Sequence, residues 1–459
     1  MKTYDLRELA TNGLSNTELN KIIEDHEKEV APFLRNKYGR YQASLTDTPI
    51  FQRPLEQNEN AGKINNRINN DFAGEIIDTK VGYFIGIPIS YVNSDGTTPD
   101  EIVNFNAAND VEDADAETVK KFSICGYAAR LLYLDPNGEE RMKRIDPWET
   151  ILFYDESMTR PHWAIRYYTV EEEGKTFKRV QLYTDVNIIF YESKSGEYRE
   201  YDRKKHQFGG CPLYGIPNND ELMGDFDKVV GLIDAYDRAL SDQNSEIEQL
   251  RLAYMYAKGI NIGDSEEEQT AFMNAVRKTG LLEIDGDGEM GFITKDLNTE
   301  FVERHLDRIE KRIQQGSKNV NFADEEFGGN LSGQALKYKL FNLETKCRFA
   351  ELKFKKALRY QYQLLANSWK FRGKAVDFDP NMLEFKFTRN VFIDYKTEAE
   401  VLNLLLGKVS DETAYSLMSF IKNASDEIWK KKEEDEEKRE SIPSFDLDNM
   451  NNNQDNEAV

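Results

Sequence analysis

Residues 318–340 read Lys-Asn-Val-Asn-Phe-Ala-Asp-Glu-Glu-Phe-Gly-Gly-Asn-Leu-Ser-Gly-Gln-Ala-Leu-Lys-Tyr-Lys-Leu. An acidic, glycine-containing loop, Asp324 to Gly329, stands between two segments with helical spacing. Ser332 occupies a helix N-cap position, and a lysine-rich helix follows at once. A loop held between rigid helices is suited to touching something that moves past it. Upstream, Phe301, Leu306, Ile309 and Ile313 predict an amphipathic helix over 298–316. Downstream, Leu336, Leu340, Leu343, Cys347, Ala350, Phe354 and Ala357 predict a helix from Gly333 to about Arg372. At 1.5 Å per residue it is about 58 Å long. Its other faces carry Lys337, Lys339, Lys346, Arg348, Lys353, Lys355, Lys356, Arg359 and Lys370, expected to pair with acidic neighbours across subunit boundaries.

A second long stripe precedes these. Phe226, Val229, Ile233, Tyr236, Leu240, Gln243, Ile247, Leu250 and Tyr254 follow 3–4 spacing, with Gln243 the one polar position. They predict a helix over 225–258, about 50 Å long. Such a stripe cannot be buried inside a small domain and needs another helix, from this chain or a neighbour. Residues 259–295 form a compact insert. A helix near 265–278 is followed by Gly280-Leu-Leu-Glu-Ile284, the turn Asp285-Gly-Asp-Gly288 and Met290-Gly-Phe-Ile293, which together read as a hairpin. The order helix, small α/β tip, helix describes a tip on a two-helix stalk.

The N-terminal half has a different texture. Residues 16–40 read as an amphipathic helix, kinked or restarted at Pro32, and 41–62 as a linker or arm. A helix is expected over Asn65–Gly82, ended by Gly86 and Pro88. From about 85 to 215 the period becomes two, predicting an antiparallel β-rich domain with a helix at about 115–130 inserted. Asp135-Pro-Asn-Gly138 between Arg130–Leu134 and Glu139–Ile145 is a hairpin signal. Strands are expected at Trp163–Val170, Phe177–Tyr183, Ile188–Tyr191 and Glu197–Tyr201. A further strand, Met382–Thr388, would rejoin this domain. Residues 396–431 suggest two or three short helices, and the tail from Lys430 reads as disordered. The fold class is α+β.

Acidic residues outnumber basic ones 83 to 60 in 459 residues, a net charge of −23. Such a chain does not bind nucleic acid by broad phosphate neutralisation, but it can surround DNA without gripping it. Cys125, Cys211 and Cys347 form no CxxC pair and read as inert thiols of a reducing compartment. The first residues lack the apolar run of a signal peptide, and no apolar stretch is long enough to span a membrane, so a soluble, cytoplasmically made protein is expected.

Catalytic patterns are weak. Gly174-Lys175-Thr176 ends like a phosphate loop, but Thr169 stands where its first glycine belongs. Asp285-Gly-Asp-Gly288 lacks the third ligand position and closing glutamate of a calcium loop. His26, His162, His206 and His305 show no ligand spacing. Asp324, Glu325 and Glu326 read as a solvated acidic loop rather than a metal site. Neither a cofactor nor an enzymatic activity is expected. A passive structural protein, of the capsid or connector kind, and a metal-dependent nuclease are the competing classes.

Three blocks carry a family resemblance: Asn65–Pro88, Tyr214–Asp237 and Phe327–Leu340. In order, over about 20–425, they resemble the portal proteins of tailed bacteriophages, of the siphophage type infecting Gram-positive hosts. The resemblance implies a portal fold and a dodecameric ring at one capsid vertex, through which double-stranded DNA is packaged and ejected. It implies a wing at 1–222, stem helices at 223–258 and 296–317, a clip at 259–295 and a tunnel loop at 318–332. The long helix and a strand returning to the wing occupy 333–394, a crown 395–435 and a disordered tail 436–459. The terminase motor and head–tail adaptor would meet the clip, at Arg277, Lys278, Leu281, Leu282, Glu283 and Ile284. Asn321, Asp324, Glu325, Glu326, Phe327, Gly328, Gly329 and Asn330 would line the channel, with Lys318, Lys337 and Lys339 close to DNA. Major capsid and scaffolding proteins complete the implied partners. The implied location is the virion, and the host cytoplasm during assembly.

Overall fold

The structure is a computed structural model. It describes residues 14–54, 65–93, 97–172, 174–193, 197–250, 254–259, 262–279, 288–293, 299–321, 333–374, 376, 378–390, 395–418, 421 and 424–440. The expected channel residues Asp324 to Asn330, the N-cap Ser332 and the clip residues Leu281 to Ile284 lie outside that set.

The described residues open with helices α1 (Asn16–Glu29) and α2 (Ala31–Tyr41), separated at Val30, just before Pro32, as the proline predicts. Ser15 and Glu18 form a reciprocal capping box at the start of α1. The buried stripe Leu19, Ile22 and Ile23 packs on a five-stranded antiparallel sheet. That sheet is a meander of β4 (Thr150–Phe153), β5 (Trp163–Glu172), β6 (Lys175–Tyr183), β7 (Asn187–Ser193) and β8 (Tyr198–Lys205). Before it come α3 (Phe72–Ile85), β1 (Ser90–Val92), α4 (Asp100–Ala108), α5 (Val111–Cys125) and the hairpin β2 (Tyr127–Leu134) and β3 (Glu140–Ile145). After it, β9 (Leu213–Pro217) pairs with β2, giving a three-stranded sheet of order β3-β2-β9.

The rest is mainly helical. It runs α6 (Val230–Leu250), β10 (Tyr254–Lys258), α7 (Glu266–Thr279), β11 (Glu289–Ile293), α8 (Thr299–Ser317) and α9 (Gly333–Phe371). Then follow β12 (Glu384–Lys386), α10 (Tyr395–Leu405), α11 (Asp411–Ser416, capped by Ser410) and α12 (Ala424–Glu440). The fold is α+β. α9 crosses the core: Leu343, Cys347, Phe354 and Leu358 are fully buried among Phe122, Leu132 and Tyr214.

Several expectations are corrected. Residues 65–71 are not helical; α3 starts at Phe72, capped by Asp71. The inserted helix is α5, ending at Cys125, with α4 ahead of it. The helix expected over 225–258 is α6 alone. Gly224 and Asp227 form a turn before it, and Tyr254 lies on a strand whose residues Tyr-Met-Tyr-Ala-Lys favour extended backbone. β11 pairs with β10 in antiparallel register, while residues 280–284 of the expected hairpin lie outside the described residues. The strand expected to rejoin the β-rich part does so: β12 pairs with β1 in a two-stranded sheet. The charged run from Lys430 continues α12 to Glu440, because Lys and Glu are good helix formers.

Candidate channel junction

The described part of the opening stretch is the turn that leaves α8. Asn319 N–H donates to Gln314 O at 3.0 Å, and Lys318 takes a left-handed conformation at φ 55°. The turn is anchored on both sides. Val320 enters the α9 core, and Lys346 Nζ donates to Ser317 O at 3.0 Å. That lysine therefore caps a C-terminal carbonyl of α8 from α9, where a cation is also favoured by the helix dipole.

Behind the turn lies a buried ion cluster. Lys80 Nζ donates to Asp225 Oδ2 and to Asn218 Oδ1, both at 2.7 Å. Burial opposes ionisation of Asp225, but Lys346 and Lys80 outweigh it and hold the carboxyl below its usual range. Burial lowers the Lys346 ammonium. Further along α9, Arg389 clasps Glu344 through Nε at 2.8 Å and reaches Glu351 through Nη2 at 2.7 Å. Tyr83 donates to Glu344 Oε2 at 2.8 Å.

Near the middle of α9, Arg130 is completely buried. It donates to Asp115 at 2.6 Å and to Gln361 Oε1 at 3.1 Å, and Tyr214 OH donates to the same oxygen at 2.6 Å. At the far end, Ser368 and Arg372 both donate to Glu140. The helix is thus held at three stations by charge-assisted bonds, the first to α3, α8 and Arg389 and the other two to the β-rich part. Much of its basic character is used within the chain, because Arg348 and Lys355 pair with Glu351 and Lys353 pairs with Asp220. This corrects the expectation that these three cations, and Lys346, wait for acidic neighbours in other subunits. Lys339 is half-buried, and the Lys337 side chain lies outside the described residues.

The α6 stripe divides. Phe226, Val229 and Ile233 are buried against Ile309 and Ile313 of α8, with the first two entering from the turn ahead of the helix. Tyr236 and Leu240 are half-buried, Ile247 is exposed, and the Leu250 side chain lies outside the described residues. Lys278 is exposed on α7; the Arg277 side chain is outside the described set.

Two features escaped sequence reading. Extended residues 66–70 lie along α6 as a polar ladder. Asn66 N–H donates to Ser245 Oγ at 3.1 Å, Ile68 N–H to Ser241 Oγ at 2.9 Å and Asn70 N–H to Asp237 Oδ1 at 2.9 Å. Alternate residues of an extended chain advance about as far as four residues of a helix, so the rungs match. The asparagine-rich block Asn65-Asn-Arg-Ile-Asn-Asn70 was the available signal, since Asn is a poor helix former. The second is a second apolar face on α9. Tyr338, Phe341, Phe349 and Leu352 are 81%, 66%, 60% and 51% exposed, on the side opposite the buried stripe.

No His/Cys/Asp/Glu group that could hold a metal occurs among the described residues. Burial pushes the Cys125 and Cys211 thiols up to about 12 and Cys347 to about 11, which removes thiolate reactivity.

The family model described as phage portal protein, SPP1 Gp6-like, matches residues 20–441. The chain belongs to this portal protein family. The portal protein of Bacillus phage SPP1 is 27% identical over 448 residues, covering 91% of this chain and 86% of that one. The portal protein of Clostridium phage phiCD119 is 24% identical over 366 residues, covering 74% and 79%. Among solved structures, the neck of an empty GTA particle aligns with TM-score 0.47 at 9% identity, covering 83% of this chain and 93% of that chain. A native gene transfer agent virion aligns with TM-score 0.46 at 9% identity, covering 76% and 89%. Portal family members are structural components of the virion, not enzymes.

Proposed function

We propose that copies of this chain close into a ring, a dodecamer in the virion, at one capsid vertex, and that the ring conducts double-stranded DNA during packaging and ejection. The observation that carries this reading is the two-faced helix α9. One apolar face is buried in its own core, and the other exposes Tyr338, Phe341, Phe349 and Leu352. Aromatic residues repeated along an exposed helix face need a second protein surface, and in a ring that surface belongs to the next subunit.

In this reading residues 1–222 are the wing, α6 and α8 the stem, and 259–295 the clip that meets the terminase motor and the head–tail adaptor. Residues 318–332 form the tunnel loop, supported by α9, and 395–435 the crown. Lys318, Lys337 and Lys339 stand near the DNA; major capsid and scaffolding proteins surround the ring. Packaging force comes from an ATPase docked on the clip. Assembly takes place in the host cytoplasm.

Light scattering coupled to size exclusion tests the ring, and single-particle images down the axis count its subunits. A large closed assembly is expected. A protein that stays monomeric at every concentration overturns the proposal.

A further inference from the structure

The five-stranded sheet has two unlike faces. Val180, Leu182, Ile189 and Tyr191 point toward the α1 core, so Gln181, Tyr183, Ile188 and Phe190 point the other way. That second face looks across a cleft of about 470 Å³ to Leu131, Tyr133 and Lys143 on the β2–β3 hairpin. The volume lies within the range of ligand sites, about 300–1,000 Å³. Its apolar lining includes Leu131, Ile188, Phe190 and Phe208.

Its charge is the unexpected property. Lys143, Arg166, Lys204 and Lys205 line the cleft, and no Asp or Glu does, although acids outnumber bases 83 to 60 in the chain. The carboxylates that touch these cations stand outside the lining. Glu149 lies 3.8 Å from Arg166 and Asp202 lies 3.4 Å from Lys204. Lys143 and Lys205 are exposed and form no ion pair among the described residues. Arg166 keeps its Nε buried without a hydrogen-bond partner. His206 is not a further cation. Its Nε2–H donates to Thr184 O at 2.9 Å, and burial lowers its basicity.

Lysines on edge strand β8 also deter stray strand pairing. That accounts for Lys204 and Lys205, and for Lys143 on edge strand β3 of the other sheet, but not for Arg166 on interior strand β5.

We infer that this cleft is a docking site for an acidic peptide segment of a partner protein, one that carries an aromatic or aliphatic side chain between its carboxylates. Cations at the rim select the carboxylates, and the apolar lining takes the side chain. A DNA duplex, whose major groove alone is about 12 Å wide, is too broad to enter. The inference does not depend on ring closure, because the cleft lies within one chain.

The test uses the full-length protein and a fluorescein-labelled peptide in which Asp alternates with Phe and Leu, read by anisotropy. Saturable binding is expected, weakened about tenfold or more by the double substitution Lys143→Glu and Lys205→Glu. Both positions are exposed, and circular dichroism and light scattering check that fold and assembly persist. Three results overturn the proposal: no saturable binding to the unsubstituted protein, equal affinity for the doubly substituted one, or equal affinity for a peptide with Asn in place of Asp. Displacement of the peptide by polyphosphate or single-stranded DNA at lower concentration than by unlabelled peptide also overturns it, and would mark a phosphate site.

Discussion

His26 shows how one side chain sets a pH limit. It is buried on the inner face of α1, with Nδ1 2.7 Å from Tyr167 OH, and that hydroxyl donates onward to Trp148 O at 2.9 Å. The tyrosine proton is therefore committed, so Nδ1–H donates to the phenol oxygen and Nε2 is left bare; Nε2 has no partner among the described residues. Burial, helped by Arg35, holds the imidazole down at about 4. As pH falls below the ordinary histidine value near 6.5, the unfolded chain takes up a proton and the folded chain does not. Stability is full above that value and declines between about 6.5 and about 4. The loss reaches about 3 kcal/mol. Denaturation across this range should show the slope, and His26→Gln should flatten it. At the junction, Lys346→Met removes the cap on Ser317 O and one of the two cations beside Asp225. A loss of about 1–3 kcal/mol is expected, read from the denaturant midpoint. Unchanged stability would mean that Lys80 alone neutralises Asp225.

At the scale of elements, long periodic helices were legible and short irregular segments were not. α9 was readable nearly to the residue because its buried stripe repeats over 39 residues. The same reading gave it one apolar face and missed Tyr338 and Phe341, because interleaved lysines make that side look solvated. Residues 65–71 looked helical because Ile68, Phe72 and Ile76 share a helical face. Their backbone instead bonds to α6, a tertiary preference that periodicity cannot encode. The pairing of β10 with β11 spans a long stretch of chain, and five-residue strands carry too little pattern to reveal it. Of the candidate site, the turn and its supporting helices were visible in sequence, but the Lys80–Asp225–Lys346 cluster joins residues far apart in the chain. Two predictions belong here. Asp237→Ala breaks the ladder rung to Asn70 and should cost about 1–3 kcal/mol, with faster hydrogen exchange at Asn70. Phe341→Asp with Phe349→Asp should abolish the ring in light scattering while circular dichroism stays unchanged, since both side chains are exposed. A ring that forms normally would place the subunit contact elsewhere.

For the whole molecule, the charge of −23 acquires a use if the ring conducts DNA. An acidic wall repels a duplex that carries about one charge per 1.7 Å of axis, so the DNA stays centred and slides without sticking. Part of the charge simply solvates the outer surface. Replacing Asp324, Glu325 and Glu326 with Lys should slow packaging and make its rate depend more steeply on salt. A rate indifferent to these changes would reject the lubricating wall. Finally, α9 is fastened near Glu344 and Lys346, at Gln361, and at Ser368 and Arg372. A rod pinned at three points has no hinge. A push delivered at the turn on residues 317–321 would be shared along α9 with Arg130 and Tyr214 at Gln361 and with Glu140 in the β2–β3 hairpin. Mechanically the helix is a strut, and the β2–β3 hairpin, which also walls the cationic cleft, would take load from it at two places, Arg130 and Glu140.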